Sequence, residues 1–469
     1  TSSADVRIQA GGDIELGLIT AATGNVVLIA GGNVIDGDAS VDVTASALYV
    51  EAGTGIGGTT DPLETTVATL ALSVGSGGAF ITETNALVIG AVSASVKRVT
   101  DDGTNSPTVT VSNITGNWED LTSTNAGAIV LQTTGSLTLN AGTANTAAMT
   151  AAGNVLLKAT GASSDVVLNA AISNSGGNTS LSAGRDVIQA TDGNITATGA
   201  NKTVDVYALR DITMSSNPGT RTERSITASG DVRLEAGGTL ALGAITATGK
   251  NVALIAATGI TDGDTDDDIT AAGVSMTASA ATGFIGDISD QLDTNVTTLA
   301  VSTGTGDAFL WDKDTAGLTI GSVTTAINRV GTDGTTGTAI SLTLEDAVST
   351  DILMIQASGT LTVNAGTTGV SGAVASGVRA SGNLLLLTTG SASDIVLNAI
   401  VSSSGGDISL SSGRDVLQNY TDAYNAGHLT NTGTSKTIDI LAANAITMAD
   451  GAVTSTATTP GNIRYEAIA

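Results

Sequence analysis

Acidic residues are the side chains in this sequence whose spacing best suits a binding site. Asp262, Asp264 and Asp266 alternate along one short stretch, and Asp36-Gly37-Asp38 opens a related stretch earlier in the chain. Carboxylate oxygens so spaced can bind Ca²⁺, but Asp267 stands where an EF-hand loop needs glycine and no glutamate closes the loop. The sequence therefore predicts no resident cofactor. A calcium loop at Asp262, Asp264 and Asp266 is the one metal-site candidate, and a solvated acidic turn is the favoured alternative.

Catalytic chemistry has few candidates in the sequence. His428 is the only histidine and cysteine is absent, which excludes a histidine-based triad and a Cys/His zinc site from these 469 residues. Paired carboxylates could still hydrolyse sugars. However, the two tryptophans, Trp118 and Trp311, do not fall at matching positions of the repeats described below. We therefore predict no catalytic residue and no enzyme, with a carbohydrate-active enzyme as a distant hypothesis and His428 in a surface loop.

The segments that must carry these residues have the periodicity of β-strands. Val6 and Ile8 alternate with polar side chains, and a Gly-Gly pair follows. Similar strands recur about every 20 residues between turns, while helical spacing of apolar residues is rare. The pattern predicts an all-β fold, a parallel β-solenoid with about 20 residues per coil. An array of immunoglobulin-like sandwiches is the alternative, disfavoured because no period of about 100 residues is visible.

Long-range repetition sets the predicted domain organisation. The sequence D-V-R-I-Q-A-G-G from Asp5 returns as D-V-R-L-E-A-G-G from Asp231, and N-I-R-Y-E-A opens a third copy at Asn462. Self-similarity at a period of about 230 residues is typical of repeat architectures. We predict one long solenoid repeat at 1–230, a second at 231–461 and the start of a third at 462–469. The chain would then be a window of a longer array.

Two short polar motifs recur beside predicted strands. Asparagine follows an apolar strand at Asn140, Asn169, Asn364 and Asn398. Stacked asparagine amides can bond from one coil to the next. The motif Gly-Arg-Asp-Val occurs at 184–187 and 413–416. We interpret it as a solvated turn or a surface ion pair.

Two polar stretches interrupt the strand pattern. Residues 98–113 contain Pro107, lie close to Trp118 and have a counterpart at 329–347. Both stretches are predicted to be loops or lateral excursions from the solenoid. Exposed aromatic residues in them would favour ligand binding, whereas packing on neighbouring chains would favour filament assembly.

Composition restricts the partners of the chain. The net charge is −27, which argues against binding to nucleic acid or to an anionic membrane surface, since both would repel the chain. No run of 18 apolar residues occurs, so no membrane insertion is predicted. Aromatic residues make up only 2% of the sequence, too few to shape a typical ligand pocket.

The repeated phrases G-D-V-R-L-E-A-G-G, L-T-I-G-S-V and S-L-S-S-G-R-D-V resemble the passenger repeats of filamentous haemagglutinin-like giant adhesins. The resemblance covers essentially the whole chain and rests on a degenerate repeat pattern. It implies a right-handed parallel β-helix, secretion to the surface of a diderm bacterium, and a role in adhesion or surface structure. It implies no catalytic residue.

Two functions follow from these observations. The first is a non-catalytic extracellular repeat protein that forms a stiff rod or filament, with copies of itself as partners. The second is a module that binds cell-surface polysaccharide or another cell multivalently, since its loops recur once per repeat.

Overall fold

The fold is described from a computed structural model for residues 4–97, 99, 103–104, 109–111, 118–142, 146–190, 192–214, 225–262, 267–349, 351–366, 376–420, 426–457 and 461–468. Within these ranges the chain forms strands, turns and bends but no helix. The predicted all-β class is therefore confirmed. No helix of the described residues is long and apolar enough to cross a membrane.

Short strands follow one another throughout the sequence. The strands up to residue 230 are β1 (Val6–Ala10), β2 (Ile14–Glu15), β3 (Ile19–Ala30), β4 (Val34–Ile35), β5 (Val43–Ala52), β6 (Gly55–Ile56), β7 (Leu63–Val74), β8 (Gly78–Glu83), β9 (Leu87–Ile89), β10 (Ala94–Val96), β11 (Val109–Val111), β12 (Leu121–Ser123), β13 (Ile129–Thr133), β14 (Leu137–Leu139), β15 (Ala147–Ala151), β16 (Val155–Ala159), β17 (Val166–Leu168), β18 (Ala171–Asn174), β19 (Thr179–Ala183), β20 (Val187–Gln189), β21 (Ile195–Ala197), β22 (Val204–Ala208), β23 (Ile212–Met214) and β24 (Ser225–Ala228). The later strands are β25 (Val232–Ala236), β26 (Thr239–Ala241), β27 (Ala244–Ala256), β28 (Gly259–Thr261), β29 (Ile269–Ala278), β30 (Phe284–Ile285), β31 (Leu292–Thr303), β32 (Ala308–Asp312), β33 (Leu318–Ile320), β34 (Val323–Ile327), β35 (Ile340–Leu344), β36 (Ala347–Ser349), β37 (Leu353–Ala357), β38 (Leu361–Val363), β39 (Ser376–Ala380), β40 (Leu384–Thr388), β41 (Ile395–Leu397), β42 (Ile400–Ser403), β43 (Ile408–Ser412), β44 (Asp415–Gln418), β45 (Leu429–Asn431), β46 (Thr437–Ala442), β47 (Ala445–Met448), β48 (Thr454–Thr456) and β49 (Asn462–Ala467).

The chain divides into two compact units. Unit 1 comprises Thr1–Gly230 and Ile327–Ile340, and unit 2 comprises Asp231–Ala326 and Ser341–Ala469. The segment Ile327–Ile340 thus belongs with unit 1, although the predicted second repeat contains it.

Most strands pair in parallel with a strand that lies two or three positions along the chain. In unit 1, β1 pairs with β3, β3 with β5 and β5 with β7. In unit 2, β37 pairs with β40, β40 with β43 and β43 with β46. Parallel pairing at short sequence separation places similar strands directly above one another, so their side chains form continuous columns.

Aliphatic side chains fill the space behind these strands. Val26, Leu48 and Leu70 occupy the same register position in β3, β5 and β7, which stack on one another, and each is fully buried. Burying a side chain of this size contributes about 1.5–3 kcal/mol. Because each strand stacks on the next, its inward residues are shielded by like residues rather than by large aromatic rings.

A column of glycines marks one turn of unit 1. A Cβ atom on any of six of these glycines would lie well within 3.0 Å of the carbonyl oxygen of the previous glycine. The column consists of Gly11, Gly31, Gly53, Gly75, Gly127, Gly153 and Gly177. The backbones approach so closely here that no side chain fits between them.

Polar ladders connect neighbouring strands, and they confirm the predicted asparagine stacking. Asn169 Nδ2 donates a hydrogen bond to Asn140 Oδ1 at 2.8 Å, and Asn398 Nδ2 donates to Asn364 Oδ1 at 2.9 Å. The Gly-Arg-Asp-Val motif also forms a ladder: Arg185 Nε donates to Asp165 Oδ1 at 2.7 Å. This ion pair joins two turns stacked on each other, and the Asp165 carboxylate is buried.

The polar excursions include antiparallel hairpins. β10 pairs with β11 in one two-stranded sheet, and β34 pairs with β35 in another. Asp5 Oδ2 accepts a hydrogen bond from Ser95 N at the base of the first hairpin (2.6 Å). Asp231 Oδ2 accepts from Ala326 N at the matching place in the second (2.7 Å). Residues 98, 100–102, 105–108 and 112–117 of the first excursion lie outside the described ranges.

Candidate metal centre

Four acidic residues of unit 1 meet at the turns that lead into two neighbouring parallel strands. Asp36 follows β4, Asp42 precedes β5, Asp61 precedes β7, and Glu64 is the second residue of β7. The backbone ties the two turns together, because Asp42 N donates to Glu64 O at 2.9 Å and Glu64 N donates to Asp42 Oδ2 at 3.3 Å. Residues distant in sequence are thereby held at one place.

The carboxylates of this cluster are close enough to share a cation. One carboxylate oxygen each of Asp36, Asp61 and Glu64 lies within 4.8 Å of the other two. Asp36 is only 7% exposed, and its Oδ2 atom accepts no hydrogen bond. Glu64 Oε2 is likewise buried without a hydrogen-bond donor. A buried carboxylate oxygen with no donor is costly unless a proton or a cation neutralises it.

Proton affinity in the cluster is raised accordingly. Burial, followed by the neighbouring Asp36 carboxylate, raises the pKa of Asp42 from its ordinary 3.8 to about 7. The same causes raise the pKa of Glu64 from 4.5 to about 7. Near neutral pH these groups therefore bind protons in the absence of another cation.

A hard divalent cation is the ligand that this arrangement suits. All the donors are carboxylate oxygens, the preferred ligands of Ca²⁺ and Mg²⁺. Ca²⁺ holds its ligands at about 2.3–2.6 Å in flexible geometry, so two of its ligands lie no more than about 5 Å apart. Asp36, Asp61 and Glu64 would hold the ion, and Asp42 would add a negative charge beside it.

The equivalent turn of unit 2 contains a lysine beside its acidic residues. Asp293 N donates to Asp268 Oδ2 at 3.2 Å, just as Glu64 N donates to Asp42 Oδ2 in unit 1. Here Lys313 Nζ lies 2.7 Å from Asp293 Oδ2. Burial lowers the pKa of Lys313, but Asp293 and Asp267 outweigh that effect and leave it raised. The lysine therefore stays charged and neutralises the site.

The position of this lysine in unit 1 is held by a neutral residue. Lys313 N donates to Thr294 O at 2.7 Å, and Thr84 N donates to Thr65 O at 3.0 Å in the same way. Thr84 is an exposed residue whose hydroxyl bonds the Thr66 hydroxyl. Unit 1 thus has the acidic half of the arrangement, with threonine in place of the cation.

The structure assembles a different carboxylate group from the one predicted as the metal site. Asp262 lies half-buried after β28, whereas Asp264 and Asp266 lie outside the described residues. Within the described ranges, the acidic group that could hold a metal is Asp36, Asp61 and Glu64. The prediction required ligands within one loop, but the fold collects them from turns 25 or more residues apart in sequence. The recurrence of acidic residues at the matching positions Asp268, Asp290 and Asp293 was a signal that could have revealed it.

Two further buried acids have structural partners. Glu83 Oε2 accepts hydrogen bonds from Thr65 Oγ1 at 2.8 Å and Val67 N at 3.0 Å. Asp312 Oδ1 accepts from Thr294 Oγ1 and Val296 N in unit 2 at 3.1 and 3.0 Å. Each acid thereby fixes one strand against the next, and burial raises the pKa of Asp312 to about 7.

His428 lies outside the strands, directly before β45, in agreement with its predicted loop position. It is half-buried, and its Nδ1 accepts a hydrogen bond from Val453 N at 3.0 Å. Its ring is tilted against Tyr420 at 6.0 Å between centroids. These contacts give the residue a structural role between two turns.

Known proteins offer no further guide to the function. No family model, no curated protein and no solved structure matches this chain. The functional assignment therefore rests on the fold and on its sites.

Proposed function

We propose that this chain is a non-catalytic structural and adhesive repeat protein, part of a stiff fibre on a bacterial cell surface. In this proposal the strands wind as a right-handed parallel β-helix in tandem repeats of about 230 residues, and copies of the protein are its principal partners. Hydrogen bonds between stacked turns span 20, 24 and 29 residues, which favours coils of about this length.

One observation carries the proposal: strand after strand repeats the same parallel register over a core of small aliphatic side chains. Each inner strand is hydrogen-bonded to the strand before it and to the strand after it, as β5 is to β3 and β7. Such a stack resists bending because bending would stretch whole rows of hydrogen bonds. The architecture suits a protein whose task is to hold a shape.

Microscopy of the source cells tests this function. Antibodies against the chain, detected with gold particles, are expected to decorate fibres or a sheath outside the cell. Label confined to the cell interior would contradict the proposal. Label on the surface without fibres, combined with binding to an array of polysaccharides, would favour the multivalent glycan-binding alternative.

We also propose that unit 1 binds a hard divalent cation, with Ca²⁺ the best fit. The observation behind this second role is the Asp36 carboxylate, which is nine-tenths buried and whose Oδ2 accepts no hydrogen bond. This carboxylate lies close enough to those of Asp61 and Glu64 to share an ion with them. Isothermal titration calorimetry with CaCl₂ tests it. Heat of binding in the wild type and none in Asp36→Asn is expected, and equal heats in both proteins would contradict it.

A further inference from the structure

The segment Ile327–Ile340, called the strap below, belongs to unit 1 and lies against outward side chains of its stacked strands. Val330 of the strap packs with Phe80, Val130 and Leu156 in one buried apolar cluster. Outward side chains of a stacked sheet normally face solvent, so the strap encloses space that would otherwise be open surface.

Two hydrogen bonds fix the strap beside this apolar cluster. Val330 N donates to Ser180 Oγ at 2.9 Å. Arg329 Nε donates to Asp205 Oδ2 at 2.7 Å, and the Asp205 carboxylate is buried. A charge-assisted bond to a buried acid orients the guanidinium group, so the rest of that group is held in a defined direction.

A cavity of about 300 Å³ lies between the strap and the strands of unit 1. On the strand side it is lined by Lys158, Ser182 and Tyr207, which occupy one register position of β16, β19 and β22. On the strap side it is lined by residues 329–332. Ligand pockets measure about 300–1,000 Å³, so this cavity suits a small ligand of one or two rings.

The polar side chains of the cavity have hydrogen-bonding capacity that the fold does not use. Within the described part of the chain, the side chains of Lys158, Ser182 and Tyr207 form no hydrogen bond and no ion pair. Arg329 bonds Asp205 through Nε and leaves both of its Nη atoms without a partner there. An ammonium, two hydroxyls and part of a guanidinium group are therefore available to a ligand.

The cavity carries positive charge within a strongly acidic chain. The sequence has 17 basic residues against 44 acidic ones, yet two of the basic residues, Lys158 and Arg329, line this one cavity. Among the described residues that line it, only Asp205 is acidic, and Arg329 already pairs with that carboxylate. Lys158 thus lacks a counter-charge, which favours a ligand with a negative group.

The fold of the solenoid does not require the lysine or the tyrosine. The matching row of unit 2 consists of Leu387, Ser411 and Leu441, which stack in the same register on β40, β43 and β46. Serine recurs in the middle of the row, whereas leucine stands in place of both Lys158 and Tyr207. Stacked strands accept leucine at these positions, so the two unit 1 side chains serve a purpose other than stacking.

We propose that this cavity binds an acidic sugar, a hexuronate residue of a polysaccharide. Its carboxylate would accept hydrogen bonds from Lys158 Nζ and the Nη atoms of Arg329. Its ring hydroxyls would bond Ser182, and the apolar face of its ring would pack on Tyr207. A small inorganic anion would leave the tyrosine ring unused. The inference rests on the adhesive role proposed above and names its ligand class.

Ligand-observed NMR with the full chain tests the site. The probe is methyl β-D-glucuronide, and methyl β-D-glucoside is the matched control because it has the same ring without the carboxylate. Saturation transfer to the glucuronide is expected, with binding of the glucoside at least about tenfold weaker, since it cannot accept charge-assisted hydrogen bonds. Acetate and inorganic phosphate should compete only weakly. Competition by either anion as strong as that of the glucuronide would make this a general anion site and overturn the sugar assignment.

Two substitutions that copy the unit 2 row identify the cavity as the site. Lys158→Leu should weaken glucuronide binding at least about tenfold, because it removes the unpaired ammonium group. Tyr207→Leu should weaken binding of the ring severalfold and keep the preference for glucuronide over glucoside. Lys97→Leu, at an exposed lysine of unit 1 outside the cavity, is the control and should bind like the wild type. Thermal melting checks that all three variants are folded.

Three further outcomes overturn the proposal: no saturation transfer to the glucuronide in the wild type, equal binding of glucuronide and glucoside, or unchanged binding in folded Lys158→Leu. Surface fibres seen on cells together with a chain that does not bind glucuronide would refute this site alone. Glucuronide binding by a chain that is absent from the cell surface would refute the fibre function alone.

Discussion

The acidic turns of units 1 and 2 share a backbone arrangement and differ in how their charge is neutralised. In unit 2, Lys313 lies 2.7 Å from Asp293 and supplies a permanent cation. In unit 1, threonine stands at the matching position, and Asp42 and Glu64 have pKa values raised to about 7. One backbone arrangement can therefore carry its own cation or, as proposed for unit 1, bind one from solution. In the second arrangement, the stability of the unit depends on which cations the solution contains.

Removing the built-in cation should have the largest effect. Lys313→Met would leave the buried Asp293 carboxylate without its partner, and breaking such a pair by one member typically costs about 3–5 kcal/mol. The lysine is 23% exposed, so we expect the lower end of that range. Urea unfolding measures the loss. The double variant Lys313→Met with Asp293→Asn should recover most of it, and failure to recover would show that the lysine acts through packing.

The second-largest expected effect is that of calcium, which should distinguish the two units by stabilising unit 1. Ligand at 100 times its dissociation constant adds about 2.7 kcal/mol of stability, which corresponds to a rise of several degrees in the melting temperature of a unit this size. We expect that rise in the wild type on addition of CaCl₂, and its loss in Asp36→Asn. Differential scanning calorimetry with and without chelator measures it. An unchanged calcium response in Asp36→Asn would place the ion elsewhere.

Introducing a lysine into the acidic turn of unit 1 should give that turn the calcium-independent stability of the unit 2 turn. Thr84→Lys places an ammonium group in unit 1 where Lys313 lies in unit 2. The variant is expected to be more stable than the wild type without calcium and to lose the calcium response. Thr66→Lys, on the neighbouring strand, is the matched control. A full calcium response in Thr84→Lys would argue against the equivalence of the two turns.

The smallest expected effect concerns pH. Asp42 and Glu64 have folded-state pKa values of about 7, above their ordinary values of 3.8 and 4.5, so the folded protein binds their protons more tightly than the unfolded chain does. Their contribution is therefore most favourable below about pH 4 and is lost as pH rises through 7. Without divalent ions, Glu64→Gln should be more stable than the wild type at pH 8 and not at pH 5. Urea midpoints at the two pH values measure the difference, and a constant difference would contradict the assignment.

Local patterns in the sequence sufficed for the fold class and for some of its details. Alternation such as Val6 and Ile8 predicts strands because a strand exposes its two faces in turn. Asparagines that follow strands, such as Asn140 and Asn169, stack as predicted because one register places them above each other. The coil length, the handedness and the adhesin resemblance remain predictions.

The carboxylate cluster could not be predicted by the same reasoning. Asp36 and Glu64 meet only because β5 lies beside β7 in a register that the intervening turns determine. Ligand spacing within a single loop predicts Asp262, Asp264 and Asp266 instead, because such spacing is the part of a metal site that a sequence displays. The burial of an outward residue such as Val130 could not be predicted either, since Val330, which covers it, lies about 200 residues further along the chain.

The glycine column of unit 1 also affects how a gene for such a protein can change. Gly31 must lie over Gly11, and Gly53 over Gly31, with no space for a side chain between them. A deletion that removes one complete coil leaves the next glycine above the column. Smaller changes in coil length are absorbed in the turns, since successive glycines of the column are 20, 22, 22, 52, 26 and 24 residues apart. The protein can therefore gain or lose whole coils or change the length of its turns, whereas point substitutions at these glycine codons should rarely survive.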